Sequence, residues 1–425
     1  MVTKTSAESL NDRRLIGLSL GADICWPLCY EGIMADLDLH IPWQGRTVSL
    51  DVERVTIEPF NLQQKCRYTM VLDRLTHWYP TTREWIKKSI LMDRLYVLNN
   101  PWAVQSMEKH TSYAAMMALG MPIPETWMIP PKSYEPVADL KPTLHKYARL
   151  FDLRAVGQEI GYPLFMKPFD GGGWKGVSQV RNEQELRQRY DESGTAVMHL
   201  QKAVDGYDSF VRCIGLGPQT RLVKYNPDAP LHDRYMMTTD VAPTDEAQIL
   251  EDTCLTINAF FGWDFNSCES LRRDGVWHPI DFANPCPDSQ VTSLHYHFPW
   301  LVMANIRWSV FCAVTGRRMR MTHDWEPFFA IAAEEDMPYA DKLKAYAAIA
   351  RERFESDRFD EFCATHLSHL DEVAWNFFGT GRARDAIQQK VAALYPAHEV
   401  ELFTEFFWRR VQAWRADQET NNGGR

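Results

Sequence analysis

The sequence has no Cys-x-x-Cys pair, no block of lysine and arginine, no Walker-type Gly-Lys-Ser/Thr loop and no internal repeat. Each absence removes a class of protein. Nine cysteines, at positions 25, 29, 66, 213, 254, 268, 286, 312 and 363, are scattered and odd in number. That argues against a disulfide framework and for reduced thiols in a cytoplasmic setting. A formal net charge of -10 gives no electrostatic footprint for nucleic acid. The N-terminal residues Met1 to Glu8 lack the apolar core of a signal peptide. The most apolar stretch, 298–314, is interrupted by Asn305, Arg307 and Ser309, and reads as a buried amphipathic helix rather than a membrane span. Neither nucleic acid nor membrane is expected as a partner.

What remains is an ordinary globular composition, 45% hydrophobic and 24% charged over 425 residues. Such a length exceeds a single core, so roughly two to four domains or subdomains are expected. Short apolar runs at 15–20, 47–50 and 96–98 read as strands of an α/β unit, with a helix within 78–92 and another over 103–119 closed by Gly120. Pro122 and Pro124 enforce an extended exit, which bounds an N-terminal unit at 1–124. Residues 125–200 have the size of a small lid, with an insertion at 130–147 rich in proline and charge; strand-like runs dominate 201–287, within a unit taken as 201–320. Helical periodicity at 341–354, 383–394 and 400–416 marks 321–425 as a helical appendage. Its tryptophans, together with Trp300 and Trp308, read as core or subunit-interface anchors, the latter in a homo-oligomer.

The most informative stretch is Met166-Lys167-Pro168-Phe169-Asp170-Gly171-Gly172-Gly173-Trp174-Lys175-Gly176. A helix-like run, 153–160, leads through Gly161-Tyr162-Pro163 into apolar Leu164-Phe165-Met166, so the triple glycine follows a buried strand. Glycines let backbone N-H groups approach phosphate oxygens, and Lys167 and Lys175 add counter-charge. Alone, Gly-Gly-Gly is more often a surface turn than a nucleotide site.

About a hundred residues later, Cys268-Glu269-Ser270-Leu271 and Pro279-Ile280-Asp281-Phe282-Ala283-Asn284 flank a turn at Arg272-Arg273-Asp274-Gly275. Two strands joined there put Glu269 and Asp281 on neighbouring strands, and with the amide oxygen of Asn284 they form a hard-oxygen set suited to Mg²⁺ bound to phosphates. Isolated acids are usually solvated; the order phosphate loop, then paired carboxylates, is what raises the metal reading. His295-Tyr296-His297 also invites a metal, but has no third ligand.

Over residues 96–290 the chain resembles the ATP-grasp superfamily of carboxylate-amine ligases, in particular members like glutathione synthetase and the ribosomal-protein glutamate ligase. The motifs are Asn99-Asn100-Pro101, Lys109, Gly120-Met121-Pro122-Ile123-Pro124-Glu125-Thr126, Ile160-Gly161-Tyr162-Pro163-Leu164-Phe165-Met166-Lys167-Pro168 and Met198-His199-Leu200-Gln201-Lys202-Ala203-Val204-Asp205-Gly206-Tyr207-Asp208. The resemblance implies an α/β ATP-grasp fold, an N-terminal α/β domain and two α+β lobes clamping ATP, here with a C-terminal helical region added. It further implies that Lys109, Lys167, Gly171, Gly172, Gly173 and Lys175 attend the phosphates. Backbone around Gln201, Ala203 and Val204 would hold adenine, and Asp208 would contact the ribose. Arg221, Lys224 and Arg234 stand where relatives place cations facing the terminal phosphate, with Lys224 and Arg234 the catalytic candidates. Glu269, Asp281 and Asn284 would carry Mg²⁺. Two departures stand out: Gln201 replaces a common glutamate, and Asp281 and Asn284 are spaced x-x rather than x, which demands a bulge or an early strand end.

The implied reaction is attack of a carboxylate on ATP to give an acyl phosphate, then displacement by an amine, both supplied by small molecules such as an amino acid or peptide. A phosphotransferase acting on a hydroxyl and a non-catalytic ATP-binding protein are the alternatives. Asp23, Cys25, Trp26, Cys29, Tyr30 and Glu31 fall where the first domain would reach the substrates, and the aromatics and cysteines among them read as packing residues.

Overall fold

In the computed structural model, the described residues are 11–56, 58–76, 78–104, 108–147, 151–169, 176–284 and 286–422. The N-terminal unit is a sheet of β1 (Asn11–Ser19), β2 (His40–Trp43), β3 (Arg46–Arg54), β4 (Met70–Asp73) and β5 (Tyr96–Leu98) in the order β2-β3-β1-β4-β5. β3, β1, β4 and β5 run parallel, while β2 closes the edge as an antiparallel hairpin arm. Parallel strands need both faces covered. The helix Cys25–Leu37 packs in the main core on one face, and Pro80–Asp93 seats Ile86 and Ile90 against Val71 and Val97 on the other.

Two four-stranded lobes follow. β6 (Thr126–Ile129), β7 (Leu164–Pro168), β8 (Ser178–Val180) and β9 (Met198–Lys202) form the first, ordered β6-β9-β7-β8. β10 (Ser209–Leu216), β11 (Gln219–Lys224), β12 (Phe265–Arg273) and β13 (Val276–Asp281) form the second, ordered β11-β10-β12-β13. All pairings in both are antiparallel. Strand alternation sends Leu164, Met166, Met198 and Leu200 to one face of the first lobe, where they pack with Ile160 and Leu186 of its helices. The other face carries Lys167, His199 and Gln201. In the second lobe the 18-residue helix Thr244–Phe261 covers the face that bears Val211, Cys213 and Trp277. The α/β class, with two α+β lobes and C-terminal helices, is therefore the architecture observed.

Three sequence expectations need correction. Helix 103–119 is two pieces among the described residues, Pro101–Val104 and Lys109–Ala118. The C-terminal helices are no appendage: Phe359, Phe377, Ile387, Phe407 and Trp414 belong to the same core as Tyr30 and Ile16. Phe298–Thr315 is the spine of that core. It lies within a helical stretch, Val291–Thr315, that is long and apolar enough to cross a membrane by length and composition, yet 83% of the apolar window is buried within the protein. It is also buried nearly all round rather than amphipathic, with Trp300, Arg307 and Thr315 the partly exposed positions.

Candidate functional site

The bare faces of the two lobes meet over the helix Lys109–Ala118, and the acidic side of the meeting is made by one hairpin. Asp274 and Gly275, at φ of 51° and 77°, turn β12 into β13. Positive φ at both central residues is the two-residue turn whose twist suits a hairpin. From that turn the register runs Arg273↔Val276 to Ser270↔Pro279, then jumps to Glu269↔Asp281, leaving Ile280 as the extra residue of a bulge. The jump decides the chemistry. Without it Asp281 would pair with Cys268, whose side faces the helix Thr244–Phe261; with it, Asp281 joins Glu269 on the cleft face. The bulge also turns out the Ile280 carbonyl, which accepts from Tyr113 Oη at 2.8 Å and Lys167 Nζ at 3.3 Å.

Cations from three other elements converge on these acids. Lys109 Nζ donates to Asp281 Oδ2 at 2.7 Å, with Lys109 only 5% exposed. Lys167, 7% exposed, donates to Gln201 Oε1 at 2.7 Å, and Gln201 donates in turn to Thr126 Oγ1 at 3.0 Å. Arg212 on β10, register partner of Glu269, is paired with that carboxylate and with Tyr235 Oη. Burial pushes the Lys167 ammonium down, to about 8, against the attraction of Asp281. Burial would raise Asp281, but Lys109 and then Lys167 outweigh it and hold its carboxyl below the usual range. Burial lowers Arg212 while Glu269 raises it, and the net direction is up.

The hard-oxygen set passes a test of fit. Asp281 Oδ1 is buried with no hydrogen-bond partner among the described residues, the condition expected of an oxygen kept for something absent. Asn284 sits past the end of β13, its backbone N-H bonded to Asn266 Oδ1 at 3.0 Å and its Nδ2 to the Ser267 carbonyl at 3.2 Å. Its amide oxygen has no donor among the described residues. The x-x spacing is thus absorbed by ending the strand at Asp281, while the bulge lies before that residue. Among the described residues there is no group of three His, Cys, Asp or Glu, but Mg²⁺ shared with phosphates needs only one or two carboxylates.

The remaining candidates are distributed unevenly. Gly171, Gly172, Gly173 and Lys175 lie outside the described residues. Ala203 N-H bonds the Pro163 carbonyl at 3.3 Å, and Val204 is buried. Asp208 is mostly exposed, 3.4 Å from Arg272. Arg234 is held by the Ala229 carbonyl at 3.1 Å and Tyr225 Oη at 3.4 Å. Tyr225 and Tyr235 both pack against Arg212, so Arg234 is tied to the cleft. Lys224 is not: it pairs with Val211, which belongs to the cluster packed away from the cleft, so alternation puts Lys224 on that same face, opposite to Arg212. Arg221 is spent on His297 Nδ1 at 3.4 Å, and His297 Nε2 meets the Met236 carbonyl at 2.8 Å. Cys25, Trp26, Cys29 and Tyr30 are buried packing residues; Asp23 accepts from Trp26 Nε1 at 2.9 Å and lies 3.4 Å from buried Arg74.

Sequence reading passed over Arg212, Tyr113, His110 and His199. Arg212 carried a usable signal, since Phe210-Val211-Arg212-Cys213-Ile214 places a lone cation inside an apolar strand.

No family model matches the sequence, and a search of curated proteins gives no match. Among solved structures, the chain is similar to D-alanine--D-alanine ligase from Bacillus anthracis complexed with ATP, at 12% identity over 81% of this chain and 99% of that one, with a TM-score of 0.45. It is similar to a RimK domain ATP-grasp protein from Sphaerobacter thermophilus, at 13% identity over 63% and 90% of the two chains, TM-score 0.44. A third similar structure is the ATP-grasp ligase PsnB complexed with a precursor peptide and AMPPNP, at 16% identity over 67% and 92%, TM-score 0.39.

Proposed function

We propose that the protein is an ATP-dependent ligase that activates a carboxylate as an acyl phosphate and passes the acyl group to an amine, both from small molecules such as an amino acid or peptide. One observation carries the reading. Lys109, Lys167 and Arg212, from three separate elements, meet Glu269 and Asp281 in the cleft between two lobes, and the site keeps a buried carboxylate oxygen without a partner among the described residues. Buried charges cost stability unless a partner compensates them. Collecting this many in one place suits a polyanion bound with a divalent cation.

In this reading a substrate carboxylate oxygen attacks the γ-phosphorus, the bond from that phosphorus to the bridging oxygen breaks, and ADP departs. The amine then attacks the acyl carbon, phosphate leaves with the bonding pair, and the amine gives up a proton. Lys109 and Lys167 neutralise phosphate oxygens and Arg212 the transferring group, with Arg234 beside it. Glu269, Asp281 and Asn284 would hold Mg²⁺, which when bound supplies charge neutralisation along the phosphates. Backbone near Gln201, Ala203 and Val204 would border adenine, and Asp208 the ribose. Lys224, facing the other way, has no part. A screen of amino acids and small carboxylates for ADP release tests the proposal. Release of ADP and free phosphate only when acceptor and donor are both present supports it. Phosphate retained on the acceptor would mean a phosphotransferase, and nucleotide binding without turnover a binding protein.

A further inference from the structure

On the floor of the same cleft, His199 is fully buried, at 0% exposure. It stands on β9 directly opposite Lys167 in the register, on the cleft face two residues before Gln201. Its ring meets His110 edge-on at 5.1 Å and Tyr113 at 5.7 Å between centroids, and His110 stacks on Phe169 at 6.1 Å. Neither His199 nitrogen has a hydrogen-bond partner among the described residues, and neither has His110 Nε2.

An aromatic filler at position 199 needs no nitrogens. Phenylalanine would make the same ring contacts and would avoid the desolvation cost of buried polar atoms left unsatisfied. Three unsatisfied ring nitrogens side by side, next to Lys109 and Lys167, mark a place built for an outside partner rich in acceptors. A phosphate oxygen accepts from such donors, and a neutral imidazole offers one N-H without adding to the repulsion between the two lysines.

We propose that His199, with His110 beside it, is a phosphate-binding element of the nucleotide site, donating to oxygens that the two lysines leave unpaired. The inference rests on the ATP reading above and adds two residues to it. His199 is neutral, because burial and then Lys167 and His110 drive its pKa down to about 2. It therefore acts as a hydrogen-bond donor rather than as a third cation.

The test is calorimetric titration of ATP with Mg²⁺ into the wild type, His199→Phe and His199→Gln, with thermal melts of each. His199→Phe is expected to bind ATP about tenfold more weakly, the worth of one hydrogen bond to a charged group. It should melt at or above the wild-type temperature, and His199→Gln should recover part of the affinity. Equal affinity for ATP in His199→Phe and wild type overturns the inference while leaving the nucleotide reading standing. A wild type that binds no ATP overturns both. If His199→Phe does not fold, histidine ¹H–¹⁵N spectra of the wild type, assigned with His199→Gln, decide. A change at the His199 ring nitrogens on adding ATP supports the role, and no change overturns it.

Discussion

Two interiors of this protein are built on opposite rules. Around the helix Phe298–Thr315, Phe311 lies 5.5 Å from Phe359 and 5.4 Å from Phe362, and Trp308 stacks on Phe311 at 5.4 Å: rings fill the space. Between the lobes, the space is filled by buried Lys109, Lys167, Glu269 and His199 and by partly buried Arg212 and Asp281. The first interior gains from every atom removed from water. The second pays desolvation at every residue and recovers it only in part through ion pairs whose members come from different elements. Such a region is retained for what it does, and the two interiors should fail differently when cut.

The largest difference is expected in turnover. Asp281→Asn keeps an oxygen for Lys109 but removes the charge, and should lower ADP release by about 10²–10³-fold; because it leaves the buried Lys109 ammonium with a neutral partner, it should lower the melting temperature as well. Turnover near wild type would dismiss the metal assignment. Phe311→Ala cuts the other interior and should destabilise by about 3–5 kcal/mol in urea unfolding while the folded fraction binds ATP normally. Lys167→Met comes next: ATP affinity falls about tenfold or more by calorimetry, whereas stability at neutral pH holds or rises because a desolvated ammonium is gone. An unchanged dissociation constant would count against the cleft as a phosphate site.

The smallest effect is one of pH, and its sign follows from Lys167. With a folded pKa of about 8 against an ordinary 10.5, the charged form is disfavoured by folding. Its destabilising contribution is full below about 8 and is relieved as pH rises towards 10.5. Phosphate should reverse the preference, so ATP binding at pH 9 should take up a proton and be weaker than at pH 7. Heats measured in buffers of different ionisation enthalpy report that uptake; equal heats would remove Lys167 from the phosphates.

How much of this was legible depended on range. Lys167, Glu269 and Asp281 stood out because turn residues and strand periodicity are local, and Asp274-Gly275 announced the hairpin itself. The bulge at Ile280 was invisible, because nothing in Pro279-Ile280-Asp281 signals an extra residue, yet it alone places Asp281 beside Glu269. Lys224 misled by a single step of parity: its neighbour Val223 is on the face of Arg212 and it is on the other. His199 and His110 meet only because β9 and the helix Lys109–Ala118 pack together, which no window of sequence contains. In the fold, β4 escaped notice because four residues are too few for a period, and the C-terminal helices were recognised as helices without their partners.

Binding of ATP to the wild-type protein, titrated by calorimetry with and without Mg²⁺, tests the central assignment most directly. Tight binding that depends on Mg²⁺ and weakens in Asp281→Asn is the expected result. No binding, or binding indifferent to both the metal and the substitution, would contradict a triphosphate held between Lys167 and the Glu269–Asp281 hairpin.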